Sequence, residues 1–310
     1  MKRYITIDGG TTTTRLSLVE DMRVTDTLRI SRGARSGIDD RQGLKIAIKD
    51  GIRALLDRNS LDFADIYRIL ASGMITSEFG LIELPHVKAP AGIETLHNTM
   101  EEVRFDEIAP IPFYFVRGIR IVSDRLSEID IMRGEESELY GLCDEIYEDA
   151  VYVLPGSHSK IIKTDRYGRI DRFATMLTGE MIASVSQNTI LKDAVDLTVG
   201  GQDTEMLIYG YKYAKAMGIN NALFKVRILK NIQKRPPVEV YSFFLGIMLS
   251  DEIDYILSLD AKSIIIGGKQ QIKLATASLL SALCDKTVTV IPDERVDISN
   301  SLGMIKIFEA

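Results

Sequence analysis

The chain has 310 residues, 45% of them hydrophobic, with a formal charge of -6 and two cysteines. That length suits one large or two ordinary domains with buried cores, and an acidic chain without Lys/Arg clusters excludes an electrostatic nucleic-acid surface. Cys143 and Cys284 lie far apart with no CxxC or Cys/His spacing, so they give no zinc site and suit a reducing compartment. No basic leader and no apolar run of about 20 residues occurs, so the expectation is a soluble, cytoplasmic protein without membrane or nucleic-acid partners.

Residues 4–7 (YITI) alternate as a buried strand and stop at Asp8, Gly9 and Gly10, after which Arg15 and Leu16 enter a second strand, LSLVE. The loop therefore joins two antiparallel strands. Its glycines let backbone amides approach a ligand, and the hydroxyls of Thr11, Thr12, Thr13 and Thr14 add donors, so it reads either as a phosphate cradle or as a Thr-rich tight turn. Asp8, at the strand end, can hold a magnesium ion directly or through water. No GxxxxGK[ST] string is present, so this is not a P-loop.

Residues 44–58 carry apolar side chains at helical spacing, and residues 66–71 (IYRILA) form the next strand, which points to a mixed sheet covered by helices. The junction that follows, SGMITSEFG (72–80), holds Ser72 and Met74. Such junctions line ligand crevices at the carboxyl ends of strands, although an ordinary surface loop fits the piece equally well. Residues 83–92 should be extended, and 111–116 and 118–122 should be short strands.

A change of character near Met132 sets an expected boundary between an N-terminal domain, 1–132, and a C-terminal domain, 133–310, whose last helix is free to pack back on the first. In MRGEESELYGL (132–142), Gly134 precedes Glu135 and Glu136 in the first turn of a helix, where the dipole favours acidic residues. Either this is only a well-capped helix, or Glu135 is a general base.

The strand AVYVL (150–154), the turn PGSHSK (155–160) and the strand IIKT (161–164) repeat the cradle pattern, with Gly156 giving backbone access and Ser157 and Ser159 giving donors. His158 reads more readily as structural than as catalytic. Lys160 either offsets ligand charge or sits at a strand edge. Residues 173–180 form a strand that ends in Thr178, Gly179 and Glu180, which cap the next helix or touch substrate. Gly200, Gly201 and Gln202 precede a helix over 203–217; Pro236 and Pro237 precede another over 240–259, with Asp251, Glu252 and Asp254 read as a solvated face. KSIIIGGK (262–269) is a buried strand ending at Gly267 and Gly268, which permit close approach of a flat or phosphorylated ligand. A helix over 270–283, a strand over 287–291 and a final helix from near Ser299 complete the chain.

In order, DGGTTTTR, RGEESELYGL, VYVLPGSHSKI, TMLTGE and IIIGGK resemble the sugar kinase, actin and heat-shock chaperone superfamily of two-domain ATPases. Within it the chain resembles the 2-dehydro-3-deoxygalactonokinase family over essentially its whole length, with MRGEE, LPGSHSK and MLTGE as the specific strings. It departs in the first loop, where Gly9 follows Asp8, and it has no tryptophan.

The resemblance implies an α/β fold of two ribonuclease-H-like (actin-like ATPase) domains with a nucleotide cleft between them, the first carrying the substrate pocket and the second binding nucleotide. ATP and Mg2+ are the implied cofactors. Gly9, Gly10, Thr11, Thr12, Thr13 and Arg15 would hold phosphates together with Gly156, Ser157 and His158, while Gly267 and Gly268 would lie near the adenosine. Asp8 would place the metal, and Glu135 would be the base. Arg133, Lys160, Thr178, Glu180, Ser72 and Met74 would face the sugar acid, with Arg133, Lys160 or Arg15 answering its carboxylate. The implied reaction is phosphorylation of the terminal hydroxyl of 2-dehydro-3-deoxy-D-galactonate to its 6-phosphate, in galactonate catabolism. A kinase for another small sugar or sugar acid, and a non-kinase ATPase activator, stay open, as does a homodimer.

Overall fold

The alternation at the N-terminus becomes β1 (Arg3–Gly9), antiparallel to β2 (Thr14–Glu20), which pairs with β3 (Arg23–Ile30). Residues 1–146, 149–268 and 270–310 are described by the computed structural model; Lys269, the last residue of IIIGGK, lies outside them. From β3 the chain crosses by α1 (Gly37–Arg58) to β4 (Arg68–Gly73), which runs parallel to β1. Leu44, Ile48, Ile52 and Leu55 recur at helical spacing and are buried in one cluster with Ile5, Ile7, Leu16 and Leu18. Each such side chain contributes about 1.5–3 kcal/mol by leaving water. The helix starts earlier than its apolar repeat because of a kink at Asp40, whose Oδ1 accepts from the Gly43 amide at 2.7 Å and caps the straight part.

Short strands follow: β5 (Val87–Lys88), β6 (Glu101–Val103), β7 (Phe113–Phe115), β8 (Ile119–Ile121) and β9 (Asp130–Met132), with α2 (Ile93–Asn98) between β5 and β6. They complete a sheet of order β3-β2-β1-β4-β7-β6 and a small one of order β5-β8-β9. Next come α3 (Glu135–Leu142), β10 (Ala150–Leu154), β11 (Ser159–Thr164), β12 (Ile170–Met176), α4 (Thr178–Asn188), α5 (Thr204–Met217), α6 (Ile219–Asn231), α7 (Pro237–Met248) and α8 (Ser250–Ser258). The chain ends with β13 (Ser263–Ile266), α9 (Gln270–Leu283), β14 (Thr287–Val290) and α10 (Asp293–Phe308).

The later strands make a sheet of order β12-β11-β10-β13-β14, in which β10 is antiparallel to β11 and parallel to β13. Val151, Val153, Ile161, Ile264 and Ile266 are buried with Leu207, Phe243 and Phe244 from α5 and α7. Both large sheets thus follow one plan, a central first strand with an antiparallel hairpin partner on one side and a parallel crossover partner on the other. This is the mixed ribonuclease-H-like arrangement that the resemblance implied.

The compact units do not divide at residues 132 and 133. One comprises Met1–Ile146, Arg166–Arg172 and Glu294–Ala310, the other Tyr147–Asp165 and Phe173–Asp293. The reason is local packing: α3 and α10 interlock where a Cβ on Gly141 would fall 1.7 Å from the Ser299 carbonyl oxygen, and Ser301 Oγ takes a 2.8 Å hydrogen bond from Thr6 of β1.

Two helices also differ from expectation. The span 240–259 is broken at Leu249 into α7 and α8, where Ser250 Oγ donates back to the Ile247 carbonyl at 2.8 Å. The last helix begins at Asp293 and not near Ser299, because Pro292 followed by Asp293 and Glu294 is itself a start signal. Among the described residues no helix is long and apolar enough to cross a membrane.

Candidate active site

In the first unit, three chain segments meet through glycine. Parallel pairing sets Asp8 beside Ser72 and Gly9 beside Gly73. Gly73 has φ +87°, and a Cβ there would lie 2.6 Å from the Gly9 carbonyl oxygen; Gly134, at φ +110°, would bring a Cβ to 3.1 Å from Gly73 Cα. Only glycine allows both the backbone conformation and the approach. The junction therefore gathers Asp8, Ser72, Met74 and the start of α3, with Glu135, into one place.

The loop after β1 is held from behind. Gly10 N donates to Thr13 O at 2.9 Å, Ala34 N to Gly10 O at 3.0 Å and Arg35 N to Thr11 O at 2.9 Å. Gly10 thus contributes shape, its amide being already engaged, while the side chains of Thr11, Thr12 and Thr13 are exposed and Thr14 is buried. Arg15 NH2 pairs with Asp8 Oδ2 at 2.8 Å and its NH1 donates to the Asp297 carbonyl at 2.7 Å, so this cation is bound to the protein.

Both first-turn carboxylates of α3 fold back on their own backbone. Glu135 Oε2 accepts from Arg133 N at 2.9 Å, and both oxygens of Glu136 lie 2.9 Å from Gly134 N. Asn300 Nδ2 donates to Gly134 O at 3.1 Å, so the strained glycine is gripped at both its amide and its carbonyl. Glu136 is fully buried, and burial pushes its pKa up to about 8; the neighbouring Glu135 adds to the rise, while the amide contacts and Arg133 oppose it.

Arg133 is bound inside the protein as well. Its NH1 donates to Thr76 O at 2.6 Å and Thr76 Oγ1 at 2.5 Å, and its NH2 to Leu84 O at 3.1 Å. Burial and the nearby Arg133 and Arg120 hold the adjacent His86 down at about 4, so it is neutral at pH 7. The guanidinium ties the loop after β4 to the start of α3. We expect Arg133→Ala to cost about 2–3 kcal/mol, since buried acceptors lose a charged donor, and a lowered denaturant midpoint would register it.

In the second unit, Gly156, Ser157 and His158 form the exposed tip between β10 and β11, above a buried Ser159 and Lys160. Lys160 Nζ donates to Thr175 Oγ1 at 2.7 Å. The start of α4 backs the tip: a Cβ on Gly179 would be 2.2 Å from Gly156 O, Glu180 N donates to Ser157 O at 3.2 Å, and His158 Nε2 lies 3.0 Å from Glu180 Oε1. Gly267 N donates to Val153 O at 2.8 Å, and Gly268, at φ +69°, rests against Pro155. Gly156, Ser157, His158, Glu180, Gly267 and Gly268 are thus gathered around the end of β10, whereas Thr178, expected to face the sugar acid, is buried and gives its hydroxyl to Glu252.

Glu252 corrects the reading of α8. It was expected on a solvated face, but it is 1% exposed and accepts from Thr178 Oγ1 at 2.5 Å. The signal was present in the spacing, because Glu252 falls between Leu249 and Ile256 on the face that also buries Ile253. Asn300 was also missed; it lies in the stretch of α10 that was expected to be helical but had no role assigned.

The model of the 2-keto-3-deoxy-galactonokinase family matches residues 8–297. A Rhizobium meliloti protein named a probable 2-dehydro-3-deoxygalactonokinase is 29% identical over 201 residues, 62% of this chain and 59% of that protein, so the match spans less than two thirds of the relative. The crystal structure of a Sinorhizobium meliloti protein that carries the same kinase name has a TM-score of 0.78 at 20% identity, covering 98% of this chain and 97% of the other. The Clostridium difficile activator of 2-hydroxyisocaproyl-CoA dehydratase, with bound ADPNP, has a TM-score of 0.51 at 12% identity, covering 99% and 95%. These structural likenesses bear on the fold, which is that of the actin-like ATPases.

Proposed function

The chain belongs to the 2-keto-3-deoxy-galactonokinase family, and from that premise we propose that it transfers the terminal phosphoryl group of ATP to the terminal hydroxyl of 2-dehydro-3-deoxy-D-galactonate. The observation that carries the reading is the glycine junction, which gathers Asp8, Ser72 and Glu135 from three separate segments. A kinase needs a carboxylate to accept the hydroxyl proton and fixed donors for phosphate charge, and little else from its side chains.

Glu135 is the general base. The bond from Arg133 N to its Oε2 fixes how the carboxylate is presented, and it takes the proton of the sugar hydroxyl as the oxygen attacks phosphorus. Met74, part-exposed after β4, lines the sugar-acid side, whereas Ser72 is fully buried and supports the strand end from within. The hydroxyls of Thr11, Thr12 and Thr13, with Gly9 and Gly10 giving room, hold phosphate oxygens in the first unit; Gly156, Ser157 and His158 do so in the second, with Gly267 and Gly268 beside the adenosine.

Magnesium fits this donor set. Among the described residues no group of three or more His, Cys, Asp or Glu is arranged as a metal cage, and a nucleotide-bound magnesium ion asks for only one or two carboxylates beside phosphates and water. Asp8 would hold it, since Arg15 engages only Oδ2. When bound, the ion supplies positive charge against the phosphates.

The test is ADP release with magnesium-ATP against 2-dehydro-3-deoxygalactonate, its gluconate epimer and common neutral sugars. Turnover on the galactonate acid above the others is the expected result. Silence on every acid, with ATP still bound, would overturn the assignment.

A further inference from the structure

One buried carboxyl of the second unit has no part in the chemistry above. We propose that Glu252 is a positioning residue for the nucleotide: by joining Ser159 to Thr178 it fixes the start of α4 beneath the tip 156–158, and so sets the shape in which that tip meets the phosphates of ATP. This rests on the kinase reading of the tip.

Glu252 reaches both ends of the motif. Its Oε2 accepts from Thr178 Oγ1, the first residue of α4, at 2.5 Å, and the Ser159 hydroxyl, at the first residue of β11, faces the same carboxyl and favours its charged form. Ser159 Oγ in turn accepts from Gly156 N at 3.5 Å. A chain of polar contacts therefore runs from the tip's own amide through Ser159 to Glu252 and on to Thr178. Above it, Gly179 lies against Gly156 and Glu180 N binds Ser157 O, so any drift of α4 relative to β11 would be passed straight to the tip.

Packing alone does not ask for an acid here. The same face of α8 buries Ile253 and Ile256, and an apolar side chain of similar volume avoids the desolvation of a carboxyl. Burial raises the Glu252 pKa, while the hydroxyl bonds from Thr178 and Ser159 oppose that rise. Its Oε1 is buried with no hydrogen-bond partner among the described residues. A carboxyl kept in such a place is explained by the two hydroxyls that it holds together.

The experiment uses the full chain, with steady-state kinetics varied separately in magnesium-ATP and in sugar acid, and with melting temperature recorded alongside. Glu252→Leu should raise KM for magnesium-ATP by about tenfold or more, with KM for the sugar acid within about twofold and kcat little changed; Glu252→Gln, which keeps an acceptor, should recover most of the loss. Should Glu252→Leu not fold, Thr178→Val and Ser159→Ala remove the two donors singly, and their double variant should reproduce the ATP-specific effect. An unchanged KM for ATP, or an equal loss for both substrates tracking the melting temperature, overturns the proposal. Gly156→Val separates the two levels. If it weakens ATP while the Glu252 and donor variants do not, only the positioning role falls. If it too leaves ATP untouched, the phosphate reading of the tip falls with it.

Discussion

Glu135→Gln is expected to lower kcat by about 10²- to 10⁴-fold while ATP binding is retained. The substitution keeps an oxygen able to accept from Arg133 N, so the start of α3 should hold its shape and only proton acceptance is removed. Single-turnover phosphoryl transfer together with nucleotide titration by calorimetry would separate the two effects. Glu135→Asp should also be slow, because the carboxylate retreats by one methylene and a small misplacement in a near-attack geometry is expensive in rate. Turnover within about threefold of the parent would remove Glu135 from the mechanism. Glu136 would then be a poor substitute, with both oxygens directed to the Gly134 amide and the side chain fully buried.

Much of this site is legible in the sequence. The strand, glycine pair and hydroxyl run around Asp8 are local features, as are the glycine and acids opening α3 and the tip after β10. What joins them is not local. Gly73 stood unremarked within a loop-like string, yet its positive φ and its pairing with Gly9 bring the ends of β1 and β4 together. That pairing comes from sheet register, which a sequence specifies only through its whole pattern of buried residues.

The cations illustrate the same limit. Arg15 and Arg133 looked equally ready to meet a substrate carboxylate, and Lys160 no less so. In the fold Arg15 turns to Asp8, Arg133 to Thr76 and Leu84, and Lys160 to Thr175. Glu252 is the converse case, an acid taken for a solvated one although its helical spacing matched buried neighbours. Residue type outweighed periodicity there, and the spacing was the better guide. The alternation of β3 and the helical repeat of α6 are legible in the same way.

The second large effect concerns Glu136 and pH. In the unfolded chain its carboxyl titrates near 4.5, whereas in the fold burial raises it to about 8. Between those values the folded protein holds a proton that the unfolded chain has released, so stability falls as pH rises across that window and levels off above it. A shift of this size corresponds to a change on the order of 3–5 kcal/mol. Glu136→Gln carries no titrating proton and still offers an oxygen to the Gly134 amide. Urea unfolding at about pH 5 and about pH 9 should therefore show the parent losing stability that the variant keeps, with the variant the more stable of the two at the higher pH. An equal gap between the two proteins at both pH values would mean that Glu136 is ionised throughout and that the start of α3 is built differently. The consequence reaches the base itself. Near neutral pH a protonated Glu136 places no second full charge beside Glu135, whereas above about 8 two carboxylates adjoin at one helix start. The same Gln variant should then flatten any change in kcat across that window, linking the stability profile to the rate profile through a single buried side chain.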